Sequence, residues 1–504
     1  MTSATRSAME NTKHFDNLII GAGLSGISAA YYLKKRSPRR SFAILERRDA
    51  IGGTWDLFKY PGIRSDSDMH TLGFAFKPWV GAKAIADGPD ILAYLQETVD
   101  ELALDEKIIF HHSLISADYD SASAMWKLTI QKAGASEAET WTCSFLHLCS
   151  GYYDYDEGHA PAFEDQEAFE GQIVHQQFWP DDLDYADKSV VVIGSGATAI
   201  TVVPAMAKTA GHVVMLQRTP SYVVKLPAKD AFANRLRKWL PNRLSYAITR
   251  WRNVLANLIS YRLARRYPKQ AKDHLLKDMQ KHLPREYVEQ HFTPEYDPWD
   301  QRVCVVPDGD LFQAIREKRA SVVSDQITGF TKEGIALASG ELLRADIIVL
   351  ATGLKLNVFG GAKLSLNGKP IHSGDLVTYK GMMFGGVPNL AVTTGYTNSS
   401  WTLKADLVSE YVGRLMTYMD DNQYAECAPV LDDPDMGREN AINFTSGYVQ
   451  RASHFLPKQG DRWPWKLAQN YALDIRQLRF GKLNDGVMLF RRHEDLGKAV
   501  TQEG

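Results

Sequence analysis

Two glycine-containing turns in the sequence have the residue types and spacing of a dinucleotide-binding motif. In the first, Gly21, Gly23 and Gly26 follow the apolar run FDNLII and precede ISAAYYLKKR. Glycine at these positions permits a tight turn, lets the backbone approach a pyrophosphate and allows a helix to pack closely on a strand. Glu46 ends the next apolar run, where a carboxylate can accept hydrogen bonds from ribose hydroxyls. The first motif therefore predicts a dinucleotide site.

The second turn has the same design but a different residue at the end of its following strand. Gly194, Gly196 and Ala199 follow SVVVI, and the next apolar run, HVVMLQ, is followed by Arg218 and Thr219. An acidic residue at this place would repel a 2′-phosphate, whereas a guanidinium can bind one bidentately. The second site, with Thr198 in its turn, is therefore predicted to bind NADPH and the first to bind FAD. The alternative interpretation of Arg218 is a solvated surface charge.

Composition excludes several other kinds of protein. The 504 residues are 44% apolar and 23% charged, as in ordinary globular proteins. The formal net charge of −2 gives no overall attraction to nucleic acid. Four cysteines without a CxxC pair exclude a dithiol redox centre and a zinc module, and no metal site is predicted. A flavin reduced by a nicotinamide in this chain would then pass its electrons to oxygen.

The motifs need two strand–turn–helix units to position them, which predicts an α/β fold with two Rossmann-like dinucleotide-binding domains. We expect residues 15–160 and 345–504 to form a discontinuous FAD-binding domain. Residues 161–344 are expected to form the NADPH-binding domain, with a helical insertion at 225–300. The polar segment 1–14 has no apolar signal-peptide core, so it is predicted to be a flexible tail of a cytoplasmic protein.

Two further segments carry a family resemblance. FEGQIVHQQFWP contains Phe169, Gly171, His175 and Trp179 in the pattern FxGxxxHxxxWP, and GGTWDLFKYPGIRSD includes Gly53, Thr54, Trp55 and Asp66. Both resemble fingerprints of the type I Baeyer–Villiger monooxygenases, within the flavin-containing monooxygenase superfamily. LCSGYYDYD, DPWDQRVCVVPDGDLF and GYTNSSWTLKADL are most similar to the branch that contains the ethionamide-activating monooxygenase. The resemblance extends over nearly the whole chain.

The resemblance implies a reaction and roles for individual residues. A C4a-peroxyflavin formed from O₂ would insert one oxygen atom into a ketone to give an ester or lactone, with sulfides as further substrates. Arg302 matches the active-site arginine that stabilises negative charge on oxygen. Asp66 matches the carboxylate that positions it, and Asp68 is a rival by proximity. Trp401 matches a residue near nicotinamide and substrate, although an aromatic there could equally belong to the core.

Alternatives to these assignments stay open in the sequence. His175 is interpreted as part of a linker between the domains, with general base or packing residue as alternatives. An N- or S-oxygenating flavin monooxygenase is the nearest rival function, and a non-catalytic flavin and NADPH redox sensor is a rival from another class. Steady NADPH consumption that depends on substrate would separate an enzyme from a sensor.

The segment 231–272 has an unusual charge pattern. It contains eleven Lys and Arg residues and no Asp or Glu, with aromatic and aliphatic residues between them, largely at helical spacing. A basic amphipathic helix of this kind fits an anionic membrane surface, so peripheral contact with the inner face of a membrane is one interpretation. The other is a solvated helical cap over the substrate entrance.

Overall fold

The chain folds around two β-sheets, and each glycine turn directly follows a strand of one of them. The computed structural model describes residues 12–442 and 445–496. Numbered along the chain, the strands of these residues are β1 (Lys13–Ile20), β2 (Phe42–Leu45), β3 (Ile108–Ile109), β4 (His112–Asp120), β5 (Met125–Lys132), β6 (Glu139–Leu148), β7 (Gln172–His175), β8 (Ser189–Ile193), β9 (His212–Gln217), β10 (Val223–Leu226), β11 (Cys304–Pro307), β12 (Ala320–Ser324), β13 (Ile327–Thr331), β14 (Gly334–Leu337), β15 (Leu342–Arg344), β16 (Ile347–Leu350), β17 (Lys363–Leu366), β18 (Lys369–Pro370), β19 (Thr378–Tyr379), β20 (Met383–Phe384), β21 (Leu390–Val392), β22 (Tyr424–Pro429), β23 (Arg438–Asn440), β24 (Lys458–Gly460) and β25 (Met488–Arg492).

The α-helices are numbered in the same way. They are α1 (Leu24–Arg36), α2 (Thr54–Leu57), α3 (Met69–Leu72), α4 (Gly88–Glu101), α5 (Ala197–Met206), α6 (Ala231–Leu236), α7 (Asn242–Arg266), α8 (Pro268–Gln280), α9 (Arg285–His291), α10 (Asp310–Arg316), α11 (Trp401–Asn422), α12 (Gly447–Ala452) and α13 (Tyr471–Asp474). In the part of the chain with described coordinates, no helix is long and apolar enough to span a bilayer.

The first sheet carries the first glycine turn. Its order is β18-β17-β4-β5-β6-β1-β2-β3, and β21 also pairs with β6. β1 lies between β2 and β6 and is parallel to both, so the carboxyl ends of these three strands meet at one edge. Leu18 and Ile19 are completely buried in β1, because helices and strands cover both faces of the sheet there. This edge is where a parallel sheet places its ligand.

The second sheet carries the second glycine turn. It has the order β12-β9-β8-β16-β7, and every pairing in it is parallel. The predicted α/β fold with two Rossmann-like units is therefore confirmed. The helical insertion, α6 to α9, follows β10 and occupies residues 231–291, inside the segment predicted from the sequence.

Two predicted boundaries were wrong. The stretch Ile347–Leu350 was assigned to the FAD-binding domain, yet as β16 it pairs with β7 and β8 in the second sheet. A buried apolar strand fits either sheet, so its composition could not decide the assignment. Lys13 and His14, placed in the tail, already pair with β6 at the start of β1. The rest of the predicted tail, residues 1–11, lies outside the described residues.

Helix α11 covers the first glycine-turn helix from the far end of the chain. The Asp406 carboxylate accepts a hydrogen bond from the Ser28 hydroxyl at 2.7 Å, and the Trp401 indole donates to the Ser25 hydroxyl at 2.8 Å. Arg40, just beyond α1, forms an ion pair with Asp420 at 2.8 Å. The amino-terminal unit is therefore completed by residues that lie nearly 400 positions later in the sequence.

Candidate active site

An inner cavity of about 600 Å³ begins at the first glycine turn. Gly21 has a φ of +104°, and a Cβ atom there would lie 2.7 Å from the carbonyl oxygen of Cys149 at the end of β6. A Cβ on Gly26 would lie 1.9 Å from the Gly21 oxygen, so α1 can approach β1 this closely only with glycine. Gly21 and Gly23 line the cavity, whereas Gly26 is buried in the helix–strand contact.

Glu46 lies buried at the carboxyl end of β2 and lines the same cavity. Its Oε2 accepts a hydrogen bond from the amide of Ala22 at 2.8 Å, and its Oε1 accepts one from the amide of Arg48 at 3.0 Å. These two bonds fix the carboxylate beside the turn. Each oxygen retains a second lone pair, which is what a ribose hydroxyl would require.

The segment after Ile51 forms the opposite wall of the inner cavity. Gly53 precedes α2, and a Cβ on it would lie 3.4 Å from the Cα of Gly23, so the two turns face each other. Thr54 and Trp55, at the start of α2, also line the cavity. The structure thus brings together the predicted first-site residues around one space.

The second glycine turn contributes only in part to the inner cavity. Thr198, in the first turn of α5, lines it and is hydrogen-bonded to Tyr60. Burial raises the pKa of Tyr60 to about 12. Gly194 has a φ of +146°, and a Cβ there would lie 2.3 Å from the Ala351 oxygen. Ala199 is completely buried.

Arg218 and Thr219 lie exposed at the carboxyl edge of the second sheet, directly after β9. The Thr219 carbonyl accepts a hydrogen bond from the Ser195 hydroxyl at 2.8 Å, which places the segment beside the glycine turn. Among the residues that are described, Arg218 has no ion-pair partner. A Cβ on Gly196 would meet no atom within 4 Å, so this edge has room for a ligand.

Arg302 and Asp66 form an ion pair at the inner end of both cavities. Arg302 Nη1 lies 2.5 Å from Asp66 Oδ2. Their side chains are 40% and 45% accessible, and both line the inner cavity and an adjoining outer cavity. The carboxylate raises the pKa of Arg302 above its ordinary value, so the guanidinium is charged at every physiological pH. In the part of the chain that the structure describes, Asp66 has no hydrogen-bond partner other than Arg302 and the neighbouring Ser67.

Asp68 has a different task from Asp66. Its side chain accepts hydrogen bonds from the amides of His70 and Thr71 and thereby caps α3. Asn253 of α7 donates to Asp68 Oδ1 at 2.9 Å. These hydrogen bonds lower the pKa of Asp68 against the opposing effect of burial. The Asp68 carboxylate is thus occupied by hydrogen bonds to backbone amides and to Asn253. Asp66 is the carboxylate that contacts the Arg302 guanidinium.

Helix α7 holds both segments that bear the ion pair. Besides the Asn253 contact, Arg250 donates from Nη1 to the carbonyl oxygens of His70 and Gly73, each at 2.8 Å. At the other end of the helix, Arg265 Nη1 lies 2.6 Å from Asp300 Oδ1, two residues before Arg302. The helical insertion therefore fixes the approach of the two domains at this point.

The outer cavity, about 1200 Å³ in volume, runs from the ion pair along α7. Asp66 and Arg302 lie at one end, with Asn398 and Ser399 beside them. Apolar and small polar residues of α7 and α8 form much of the wall, which suits an uncharged organic molecule. The charged pair is thus reachable from a space of substrate size.

Comparison with known proteins identifies the family. Residues 19–82 match the NAD(P)-binding Rossmann-like domain, and residues 85–292 match the family described as flavin-binding monooxygenase-like. The chain is 52% identical over 483 residues to the FAD-containing monooxygenase EthA of Mycobacterium tuberculosis, covering 95% of this chain and 98% of that protein. It is 48% identical to the probable FAD-binding monooxygenase AlmA of Acinetobacter baylyi, over 97% of this chain and 99% of that protein. The chain belongs to the flavin-binding monooxygenase family.

The fold of this flavin monooxygenase is shared with solved Baeyer–Villiger enzymes. An oxidized steroid monooxygenase bound to NADP matches with a TM-score of 0.75 at 19% identity, over 95% of this chain and all of that one. A cyclohexanone monooxygenase with bound ε-caprolactone gives the same TM-score at 18% identity and the same coverage. The predicted enzyme class and its cofactors, FAD and NADPH, are confirmed by this membership.

The inner cavity of this monooxygenase fits a flavin dinucleotide. It has a glycine turn at a helix amino terminus for a pyrophosphate, a buried carboxylate for a ribose and a guanidinium at its far end. The residues that would hold the flavin dinucleotide are Gly21, Gly23, Glu46, Gly53, Thr54, Trp55 and Trp401. The donor set is that of a dinucleotide rather than of a metal ion.

Sequence reasoning missed a group of tyrosines beside the ion pair. Tyr152 and Tyr153 follow β6 and line the inner cavity, with their hydroxyl oxygens 3.2 Å apart. The ring of Tyr152 lies 5.1 Å from that of Trp401, and Tyr448 also approaches Arg302. Burial raises the pKa of Tyr153 well above its ordinary value, so its hydroxyl stays protonated. The position of YYDY directly after a parallel strand was the available signal.

The motif with Phe169, Gly171, His175 and Trp179 lies away from both cavities. Phe169 is buried in the core of the second domain, and Trp179 packs against another part of it. A Cβ on Gly171 would lie 2.4 Å from the Asp346 oxygen, so this turn needs glycine for its close approach to β16.

His175 lies against the chain segments that connect the two domains of this monooxygenase. A Cβ on Gly158 would lie 1.9 Å from its ring, and its Nε2 is 3.4 Å from the His159 oxygen. The next residue, Gln176, donates to the Gly353 oxygen at 2.9 Å on the return connection. Burial lowers the pKa of His175. This environment favours the linker interpretation over a general base.

Proposed function

We propose that this monooxygenase inserts one oxygen atom into ketones to give esters or lactones. The observation that carries the proposal is the Arg302–Asp66 pair at 2.5 Å, at the junction of a dinucleotide-sized cavity and a separate cavity of substrate size. A fixed cation at this junction would lie next to both the flavin ring and a substrate carbonyl. Such a cation is what carbonyl attack by an oxygen nucleophile requires.

The balance of the proposed reaction is simple. A ketone, O₂, NADPH and one proton give an ester, water and NADP⁺. The carbon–carbon bond beside the carbonyl breaks, and one oxygen atom of O₂ becomes bonded to both of the carbon atoms that this bond had joined. The other oxygen atom of O₂ leaves as water. When bound, the flavin takes the electrons of NADPH and supplies the activated oxygen.

The proposed role of Arg302 is to stabilise negative charge on oxygen. Its Nη atoms would donate hydrogen bonds first to the attacking oxygen and then to the oxyanion that develops at the carbonyl. Asp66 would hold the guanidinium in place through Nη1, and its carboxylate raises the pKa of Arg302 and so keeps the guanidinium charged. A donor already aimed at developing charge costs no reorganisation during the reaction.

The proposed division between the cofactors follows the two turns. FAD would lie on Gly21, Gly23 and Glu46, while NADPH would lie on the second turn. Arg218, Gly196 and Thr198 would hold NADPH, with Arg218 at its 2′-phosphate. The exposed position of Arg218 and the open space at Gly196 support this assignment.

The test is product identification. Purified enzyme with FAD would be incubated with NADPH and a panel of linear, cyclic and aryl ketones, and the products analysed by mass spectrometry under ¹⁸O₂. We expect esters or lactones that carry one labelled oxygen atom. NADPH consumption that is independent of every ketone, with no ester formed, would reject the proposal.

Thioethers belong in the same panel as further substrates. Sulfur accepts an electrophilic oxygen without needing an oxyanion-stabilising cation, so sulfoxide formation would survive Arg302→Ala better than ester formation. If sulfoxides form and esters do not, the enzyme is an S-oxygenating flavin monooxygenase, the nearest rival function.

The proposal also includes peripheral membrane contact through residues 231–272. Support comes from the absence of Asp and Glu in this segment and from the exposed positions of Trp239 and Trp251 on its surface. Retention of the enzyme on anionic lipid vesicles, absent on neutral ones, tests this part separately.

A further inference from the structure

An exposed apolar stripe follows the outer side of α7. Its members, 39% to 57% exposed, are Leu244, Ile248, Trp251, Leu255 and Ile259. At 3.6 residues per turn they fall within an arc of roughly 80°. The buried residues of the helix, such as Tyr246 and Arg250, project from the opposite side. The described part of the chain therefore covers the inner face of α7 and leaves the apolar outer face uncovered.

The stripe lies within a strongly basic surface. Arg235, Lys238, Arg243, Arg262 and Arg266 are exposed, and none has an ion-pair partner among the residues with described coordinates. Two copies of the chain joined through this face would bring these like charges together. An anionic lipid surface is complementary to both features, because it accepts apolar side chains between headgroups that attract the cations.

The same helix forms a wall of the outer cavity. Further along α7 the exposed apolar residues turn towards that cavity, where Leu263 and the following Tyr267 line it while remaining about half exposed. Phe232 of α6 and Leu226 of β10 are also both exposed and cavity-lining. These four apolar residues mark the mouth, and Arg302 lies at the inner end.

We infer that α7 docks on an anionic bilayer with the mouth of the outer cavity at the lipid surface, and that the substrate enters from the lipid phase. The inference rests on the proposed function and adds the substrate class, a carbonyl compound apolar enough to partition into a membrane. A long hydrocarbon chain would pass Leu263 and Tyr267 with its carbonyl leading towards Arg302. Its apolar part would exchange lipid contacts for those of the cavity wall.

The test compares a lipid-borne with a water-borne ketone. Vesicles of phosphatidylcholine with or without phosphatidylglycerol would carry a long-chain methyl ketone, and a short ketone would be supplied in buffer. The variant Leu255→Ser/Ile259→Ser removes part of the stripe without touching the cavity lining. Leu342→Ser/Phe480→Ser is the matched control, since both residues are exposed apolar residues outside α7 and line neither cavity.

We expect the wild type and the control to bind phosphatidylglycerol vesicles, less so at high salt, and to oxidise the ketone they carry. The stripe variant should lose about tenfold or more of both vesicle binding and lipid-borne turnover. Its kcat/KM for the short ketone should stay near the wild-type value, which also shows that it is folded.

Other outcomes would overturn the inference. The inference would be overturned if the wild-type enzyme did not bind phosphatidylglycerol vesicles, or if the stripe variant oxidised the lipid-borne ketone at the wild-type rate. Neither result would contradict the reaction with the short ketone. A change from dimer to monomer in the stripe variant, without vesicle binding by the wild type, would assign the stripe to a second copy instead. Turnover of neither ketone would reject the proposed function and the uptake route with it.

Discussion

Arg302 Nη1 and Asp66 Oδ2 lie 2.5 Å apart although the two residues are 236 positions apart in the sequence. One comes from the loop after the helical insertion and the other from the segment after the first glycine turn. The pair therefore exists only when the two domains are correctly docked. The distance between the two side chains therefore depends on the packing of the two domains, and the proposed chemistry depends on that packing too.

Replacing Arg302 by alanine should abolish ester formation without preventing cofactor reduction. Loss of one oxyanion donor lowers kcat by roughly 100- to 1,000-fold. Stopped-flow reduction by NADPH should stay near the wild-type rate, and oxygen should be released as hydrogen peroxide. Arg39→Ala, at an exposed arginine just after α1 in the FAD-binding domain, is the control. Normal ester yields from Arg302→Ala would contradict the assigned role.

Replacing Arg218 by alanine should change the choice between NADPH and NADH. The guanidinium contacts only the 2′-phosphate in our assignment, so KM for NADPH should rise by roughly tenfold or more while KM for NADH hardly changes. Steady-state kinetics with both cofactors measure the ratio. Arg316→Ala, exposed in the same domain, should leave it unchanged. An equal loss for both cofactors would exclude the phosphate contact.

Replacing Arg265 by alanine should reduce coupling rather than stability. The Arg265–Asp300 pair is partly exposed, so its loss should cost at most about 1 kcal/mol of unfolding free energy. The loop before Arg302 would nevertheless lose a contact with α7. We expect the ester formed per NADPH consumed to fall several-fold, measured by product analysis against NADPH absorbance. The neighbouring exposed Arg266 supplies the control, Arg266→Ala; the same fall in both variants would argue against positioning.

His147 should make the fold sensitive to acid. It is buried in β6, and burial lowers its pKa from 6.5 to about 4. Between these values the unfolded chain binds the proton and the folded chain does not. The unfolding free energy should therefore fall by about 3 kcal/mol as pH drops from 6.5 to 4, with no further loss from this group below that.

Urea titrations at a series of pH values would measure the effect of His147. The variant His147→Gln cannot take up the proton and should show a flatter profile over the same pH range. Its Nε2 hydrogen bond to Thr393 is also lost or altered, which shifts the whole curve but not its slope. An unchanged slope in the variant would assign the acid sensitivity to other groups.

The parts of the site that are local in sequence could be predicted from it. Each glycine turn, its strand and the residue ending the next strand lie within about 25 positions, so spacing alone fixed their geometry. The roles of Arg302 and Asp66 came from the family resemblance, because no local pattern connects them. Tyr152, Tyr153 and Tyr448 were missed since their convergence depends on how distant segments pack.

The sequence also could not predict which of the two sheets a buried strand joins. The run IIVL of β16 has the same composition as any buried parallel strand, and only its neighbours β7 and β8 place it in the second sheet. Likewise, the basic pattern of 231–272 predicted an amphipathic helix but not its inner attachments. Arg250, counted among the membrane-facing charges by pattern, is buried against the carbonyl oxygens of His70 and Gly73.

The packing of α11 on α1 has a consequence for how the chain is made. During synthesis the first glycine turn leaves the ribosome early, but the helix that covers it begins only at Trp401. Until α11 has been synthesised, the apolar side of α1 cannot be buried by it. The nascent chain therefore exposes an apolar surface to solvent. We expect ribosome-stalled fragments ending before Trp401 to associate with chaperones and to retain no flavin. Fragments that extend beyond Asn422 should release the chaperones and bind flavin.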